Sequence, residues 1–246
     1  MTALAFENLT IAYDRHPAVH HLNATIDSGA LLAVVGPNGG GKSTLLKGIT
    51  GQLRPAEGRI DLAGLQPRDI AYLPQQAELD REFPASVFDV VAMGLWRRVG
   101  FFGAIHGELA SRVGQAIAAV GLEGFERRPI GSLSGGQLQR TLFARLLVQD
   151  AQLILLDEPF NAIDVKTVQD LLDLIQRWHG EKRTVLVVLH DLETVHSVFP
   201  HTLFLAREPI AFGPTADVLH PENQLRARRM CEAFDDQAAI CERLAS

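Results

Sequence analysis

The sequence predicts an α/β fold with a mostly parallel sheet, an antiparallel β edge region and an inserted helical lobe. Two observations carry this prediction. Short apolar runs of the type buried on both faces of a parallel sheet, "LLAVV", "LILL" and "TVLVVL", alternate with segments of helical apolar period. Between about residues 84 and 150 such runs stop, and apolar spacings of three and four residues take over. The chain of 246 residues, 47% hydrophobic and 21% charged, is long enough for one large domain or two lobes with a proper core.

Taken in order, "LAFENLTIAY" and "LNATID" read as strands and lead into the buried-type strand "ALLAVVG", a glycine loop and the helix "KSTLLKGITG". Residues 58–74 read as two further strands, the second carrying "IAYLP" to a Gln-Gln pair. "SVFDVVAMGL" and "ELASRVGQAIAAVGL" have helical spacing around the glycine-rich "VGFFGAIHG" turn. Strand "LILLD", helix "VKTVQDLLDLIQRWHG", strand "TVLVVLHD", helix "LETVHSVFP" and strands "TLFLA" and "PIAFG" follow. From Glu222, Ala227, Met230, Phe234, Ala238, Cys241 and Leu244 recur at helical spacing, as in a terminal docking helix. The expected division is an α/β core with its β subdomain at 1–83 and 151–220, a helical subdomain at 84–150 and a helical tail at 221–246.

A net charge of −6 and a pI near 5.8 argue against nucleic acid as a partner. The longest apolar runs fall far short of the ~20 residues that span a bilayer. The beginning "MTALAFENLT" has neither a positive region nor an apolar one of signal-peptide type, which makes the cytoplasm the expected location. Cys231 and Cys241, on a helix, would lie about 15 Å apart, too far for a disulfide.

The sharpest motif is "GPNGGGKST". Gly36, Pro37, Asn38, Gly39, Gly40, Gly41, Lys42 and Ser43 match G-x-x-x-x-G-K-[ST], and Thr44 continues into the helix. The motif follows a strand and opens a helix, the context that gives it meaning. Glycine lets backbone amides wrap phosphate oxygens, Lys42 places a cation on the outer phosphates, and Ser43 can ligate Mg²⁺. The expected class is therefore the P-loop NTPase. Asp157 and Glu158 end the strand "LILLD", where α/β sheets bind ligands. Asp157 suits the magnesium shell, and Glu158 suits a general base.

"SLSGGQLQR" offers a second cluster of backbone amides at a positive helix end. Ser134 and Gln137 also form an [ST]-x-x-[EQ] capping box around Gly135 and Gly136, so a cap alone and a cap that also binds an anion are both compatible with these residues.

"LSGGQLQR" preceding "LILLDEP" resembles the signature and Walker B motifs of ATP-binding cassette proteins, and the likeness extends over most of the chain. Tyr13 in "IAY" is similar to the aromatic that stacks on adenine, Gln75 in "AYLPQ" to the Q-loop glutamine, Asp164 in "FNAID" to the D-loop aspartate, and His190 in "VLHD" to the switch histidine. The family spacing favours Gln75 over Gln76. Asn161 departs from the small residue that commonly opens the D-loop.

The resemblance implies ATP and Mg²⁺ as cofactors, with Gln75 joining Ser43 and Asp157 at the metal and Gln75, Glu158 and His190 acting in hydrolysis. It implies a head-to-tail homodimer in which Ser134, Gly135, Gly136 and Gln137 face the nucleotide of the other copy. Integral membrane permease subunits, an extracytoplasmic substrate-binding protein and a place on the cytoplasmic face of the membrane follow. The stretches "EFPASVFDVVAMG", "RRPIGSLSGGQLQR" and "DEPFNAID" look like the zinc and manganese uptake subfamily. Siderophore or cobalamin import, and a soluble ATPase outside transport, are the alternatives. The segment around Phe83–Leu95 is the expected groove for a permease helix.

His16, His20 and His21 do not read as a metal site, since no cysteine or carboxylate cluster accompanies them and the chain would bind nucleotide rather than the cargo. "RRV" at 97–99 and "RARR" at 226–229 read as solvated helix faces.

Overall fold

The computed structural model describes residues 1–13, 16–75, 83–100, 103–161 and 163–232. Gln76, Cys241 and the expected helix beyond residue 232 lie outside the described residues. In chain order the elements are β1 (Thr2–Tyr13), β2 (His16–Asp27), β3 (Leu31–Val35), α1 (Lys42–Ile49), β4 (Glu57–Asp61), β5 (Ile70–Leu73), α2 (Val87–Ala92), α3 (Trp96–Val99), α4 (Glu108–Ala119), α5 (Gly135–Gln149), β6 (Leu153–Asp157), α6 (Val165–Gly180), β7 (Thr184–Val188), α7 (Leu192–Val198), β8 (His201–Ala206), β9 (Glu208–Pro214), α8 (Thr215–Val218) and α9 (Pro221–Glu232). The structure has the predicted α/β class, with helices alternating between strands.

The chain forms two compact units, 1–64 with 186–246, and 65–185. In the first, β1 pairs antiparallel with β2 and with β4, giving the predicted antiparallel region. Strand β3 runs parallel to β8, and β9 returns antiparallel beside β8. All five residues of β3 are buried, as a strand covered on both faces requires. Helix α1 follows β3 and buries Leu45, Leu46 and Ile49.

In the second unit, β5 and β6 are parallel, with Leu73 opposite Leu156, and β6 is buried throughout. Helix α5 buries Leu142, Phe143, Leu146 and Val148, while α6 buries Leu171, Leu172, Ile175 and Trp178. Phe143 and Trp178 stack with ring centres 5.9 Å apart and planes 6° from parallel, joining the two helices through an aromatic pair worth about 1 kcal/mol beyond its area.

The arginines of "RRV" are engaged within this unit. Arg97 donates to the Pro67 carbonyl, and Arg98 pairs with Asp150 at 3.1 Å. The solvated face expected there is half true: both side chains are exposed, yet each has a protein partner. No helix among the described residues is long and apolar enough to cross a membrane.

Candidate functional site

In the first unit the glycine loop is shaped by close backbone approach. Gly36 has φ 150°, and a Cβ there would fall 1.9 Å from the Leu205 carbonyl oxygen. Gly41, the residue before α1, has φ 89°, and a Cβ would fall 2.0 Å from the Ala18 carbonyl oxygen. Only glycine fits either position. A turn from Gly40 N–H to the Pro37 carbonyl closes the loop at 3.0 Å, and the Arg207 N–H pins Gly40 from the β8–β9 connection at 2.9 Å. Lys42 is 5% exposed and donates through Nζ to the carbonyls of Gly36 and Pro37, both at 2.9 Å. A buried ammonium held inside a curl of backbone is the chemistry of an anion site, and it fits a nucleotide phosphate chain.

Tyr13 ends β1 and is 45% exposed. His190 follows β7 and precedes α7. The cap of α7 is the neighbouring Asp191, which accepts from Glu193 N–H at 3.1 Å and Thr194 N–H at 3.4 Å. The Thr194 hydroxyl, foremost, holds the Asp191 carboxyl below its ordinary range. His190 lines a cavity of about 180 Å³ with Gly36, Pro37, Gln224, Ala227 and Arg228.

In the second unit Asp157 is buried at the end of β6 and Glu158 begins the next turn. Glu158 has φ 49°, a left-handed backbone that disfavours a side chain by about 1–3 kcal/mol and is typical of functional turns. Its Oε2 accepts from Gln75 Nε2 at 2.7 Å and from Asn161 Nδ2 at 2.6 Å. Gln75, just past β5, and Glu158, just past β6, meet because the two strands are parallel neighbours that end together. Of the residues placed at the metal, Gln75 thus points its amide nitrogen at the carboxylate of Glu158.

The capping box forms at the start of α5. The Gln137 N–H reaches Ser134 Oγ at 3.2 Å, and Gln137 Oε1 accepts the Ser134 N–H at 3.0 Å. A Cβ on Gly136 would stand 3.3 Å from Asp164 Oδ2, so the start of α5 lies close to the start of α6. Asp164 caps α6 by accepting the Thr167 N–H at 3.0 Å and the Thr167 hydroxyl at 2.8 Å, which together hold its carboxyl below the ordinary range.

Sequence reasoning missed two supports of this region. Gln139 Nε2 donates to the Pro159 carbonyl at 2.6 Å, fastening the turn after Glu158 to α5. Arg140 donates to the Val120 carbonyl at 2.9 Å and to Asp170 at 2.5 Å, joining the end of α4 to α6. Both residues lie in the quoted "LQR", yet their partners stand 20 or more positions away and leave no local signal.

His16, His20 and His21 fall on β2. His20 pairs with Glu208 at 3.3 Å, and His21 Nδ1 meets Asn8 Oδ1 at 2.7 Å.

A glycine loop with a buried lysine between β3 and α1 marks a P-loop nucleotide-binding protein. Residues 19–161 match the family described as ABC transporter, and the chain belongs to that family. It is 40% identical over 229 residues to the zinc transport system ATP-binding protein TroB of Treponema pallidum, covering 92% of this chain and 86% of that protein. It is 37% identical over 227 residues to the manganese transport system ATP-binding protein MntB of Bacillus subtilis, covering 91% of each. A solved chain from an ABC transporter described as metal-chelate type, in an inward-facing conformation, superposes with a TM-score of 0.83 at 33% identity, covering 93% of this chain and 90% of that one.

Proposed function

We propose that the chain is the ATP-hydrolysing subunit of an importer of divalent metal ions, zinc or manganese. The observation that carries this reading is its likeness, over about nine-tenths of its length, to ATP-binding proteins named for zinc and for manganese transport.

In this reading Gly36 to Thr44 wrap the ATP phosphates and Tyr13 stacks on the adenine. Ser43, Asp157 and Gln75 supply oxygen ligands to Mg²⁺, which neutralises phosphate charge when bound. Glu158 accepts a proton from the attacking water as the new P–O bond forms and the bond to ADP breaks. His190 contacts the γ-phosphate. Ser134, Gly135, Gly136 and Gln137 face the nucleotide of a second copy, and Asp164 lies beside that contact.

Permease subunits in the membrane receive the resulting motion at the cytoplasmic face, through a helical subdomain at 84–150. An extracytoplasmic substrate-binding protein delivers the ion. A second reading, import of chelated metal, is supported by the metal-chelate type transporter among the structural relatives.

Two measurements test these readings. Glu158→Gln should bind ATP and accumulate as a dimer at saturating MgATP in size-exclusion chromatography; a monomer would count against the two-copy arrangement. In cells, Lys42→Ala should abolish uptake of labelled zinc or manganese. Loss of uptake of a metal chelate, with free-ion uptake intact, would favour the second reading.

A further inference from the structure

Asn161 stands where the family motif commonly has a small residue, and its amide is spent on Glu158. The segment Glu158-Pro159-Phe160-Asn161 is a tight turn in which the Asn161 N–H approaches the Glu158 carbonyl at 3.4 Å. Proline at the second position presets the backbone for such a turn and returns the fourth residue over the first. The Asn161 side chain reaches back across this turn. It extends Nδ2 to Glu158 Oε2 at 2.6 Å, the same oxygen that takes Gln75 Nε2 at 2.7 Å.

We infer that Asn161 is a positioning residue that, with Gln75, fixes the rotation of the Glu158 carboxylate. The inference rests on the reading of Glu158 as the base. Two amide donors from opposite sides of the sequence, one three positions away and one 83 positions away, converge on one oxygen. A single donor lets a carboxylate swing about its Cγ–Cδ bond, whereas two hold its plane. Gln139 holds the turn itself through Pro159, so Asn161 starts from a fixed base. General-base catalysis needs the accepting oxygen within hydrogen-bond reach of the water, and misplacement by about 1 Å reduces the rate by up to about 100-fold.

The test is steady-state ATP hydrolysis by the full chain, with kcat and KM separated, for Asn161→Ala, Asn161→Asp and Glu158→Gln. Asn161→Ala should lower kcat about tenfold and leave the KM for ATP within about twofold. Asn161→Asp is the sharper variant, because aspartate has the same shape and the same liking for turns but has no donor and sets a second negative charge against Glu158. Its kcat should fall at least as far as that of the alanine variant. A role in turn shape alone would leave Asn161→Asp at the wild-type rate, and that result overturns the inference, as does a change confined to KM. Equal melting temperatures for wild type and Asn161→Asp show that the comparison is between folded proteins. Glu158→Gln separates the two levels of the argument. If it is inactive while the Asn161 variants keep the wild-type kcat, only the role of Asn161 falls; if it hydrolyses ATP at the wild-type rate, the base reading falls and the positioning role with it.

Discussion

The glycine loop of the first unit and the Glu158 turn of the second both adopt left-handed backbone, and they do so for opposite reasons. Gly41, at φ 89°, must lack a side chain because the Ala18 carbonyl occupies the space where Cβ would be. Glu158, at φ 49°, keeps a full side chain, and neighbouring bonds hold it there. One loop is specified by atoms that are missing. The other is specified by partners that arrive from β5, α5 and the turn itself. The first kind of constraint should fail abruptly on a one-carbon change, and the second should fail by degrees.

Gly41→Ala is the largest expected effect. The added Cβ would stand 2.0 Å from a backbone oxygen, so either the loop or β2 must move. A displaced loop that loses two of its hydrogen bonds to phosphate, at about 1.5–3 kcal/mol each, should reduce ATP affinity by about 100-fold or more, as measured by titration with a fluorescent ATP analogue, and should lower the melting temperature as well. Wild-type affinity would mean that the loop tolerates a side chain and that the contrast drawn above is wrong.

Gln139→Ala probes the graded side. It removes the donor to the Pro159 carbonyl, on a residue that is itself buried, and an acceptor left without its partner costs about 1–3 kcal/mol. For a chain of this size that corresponds to a fall in melting temperature of roughly 2–12 °C. Nucleotide affinity should stay near wild type, because the substitution leaves every residue of the glycine loop in place. A large loss of affinity in Gln139→Ala would erase the distinction between the two regions.

This difference in construction also explains what was legible in the sequence. The loop between β3 and α1 is written in eight consecutive residues, and the strands that flank it are short apolar runs, so both could be read directly. The capping box of Ser134 and Gln137 is local in the same way, and it forms as expected. The contacts of Glu158 with Gln75, and of Gln139 with Pro159, join positions 83 and 20 apart, and only the parallel pairing of β5 with β6 and the packing of α5 bring them together. Asn161 was visible as a departure from the family pattern, but its consequence required the turn that Pro159 makes. The cap of α7 is equally local, since Asp191, the residue just before the helix, performs it.

The smallest expected effect lies at Asp150, which ends α5 in left-handed backbone and gathers three arginines. Arg183 stands at 2.7 Å, Arg98 at 3.1 Å and Arg112 at 3.7 Å. Burial works to raise the Asp150 carboxyl, but the hydrogen bonds and charges of Arg183 and Arg98 outweigh it, so the group sits below its ordinary value of 3.8. A carboxyl lowered on folding contributes stability that is present above its unfolded value and is lost as pH falls through its lower, folded value. With 41% of the side chain exposed, solvent and salt screen the cluster, and a net contribution of about 1 kcal/mol is the reasonable scale. Asp150→Asn should therefore melt roughly 2–4 °C below wild type at pH 7 and low salt. The gap should narrow as pH drops below 3.8, where the wild-type carboxyl begins to take up its proton, and it should also narrow in 1 M salt, where the Debye length is about 3 Å. A gap that stayed constant with both pH and salt would mean that Asp150 holds the end of α5 by its left-handed backbone rather than by its charge, placing it with the glycines of the loop and not with the partnered carboxylate of Glu158.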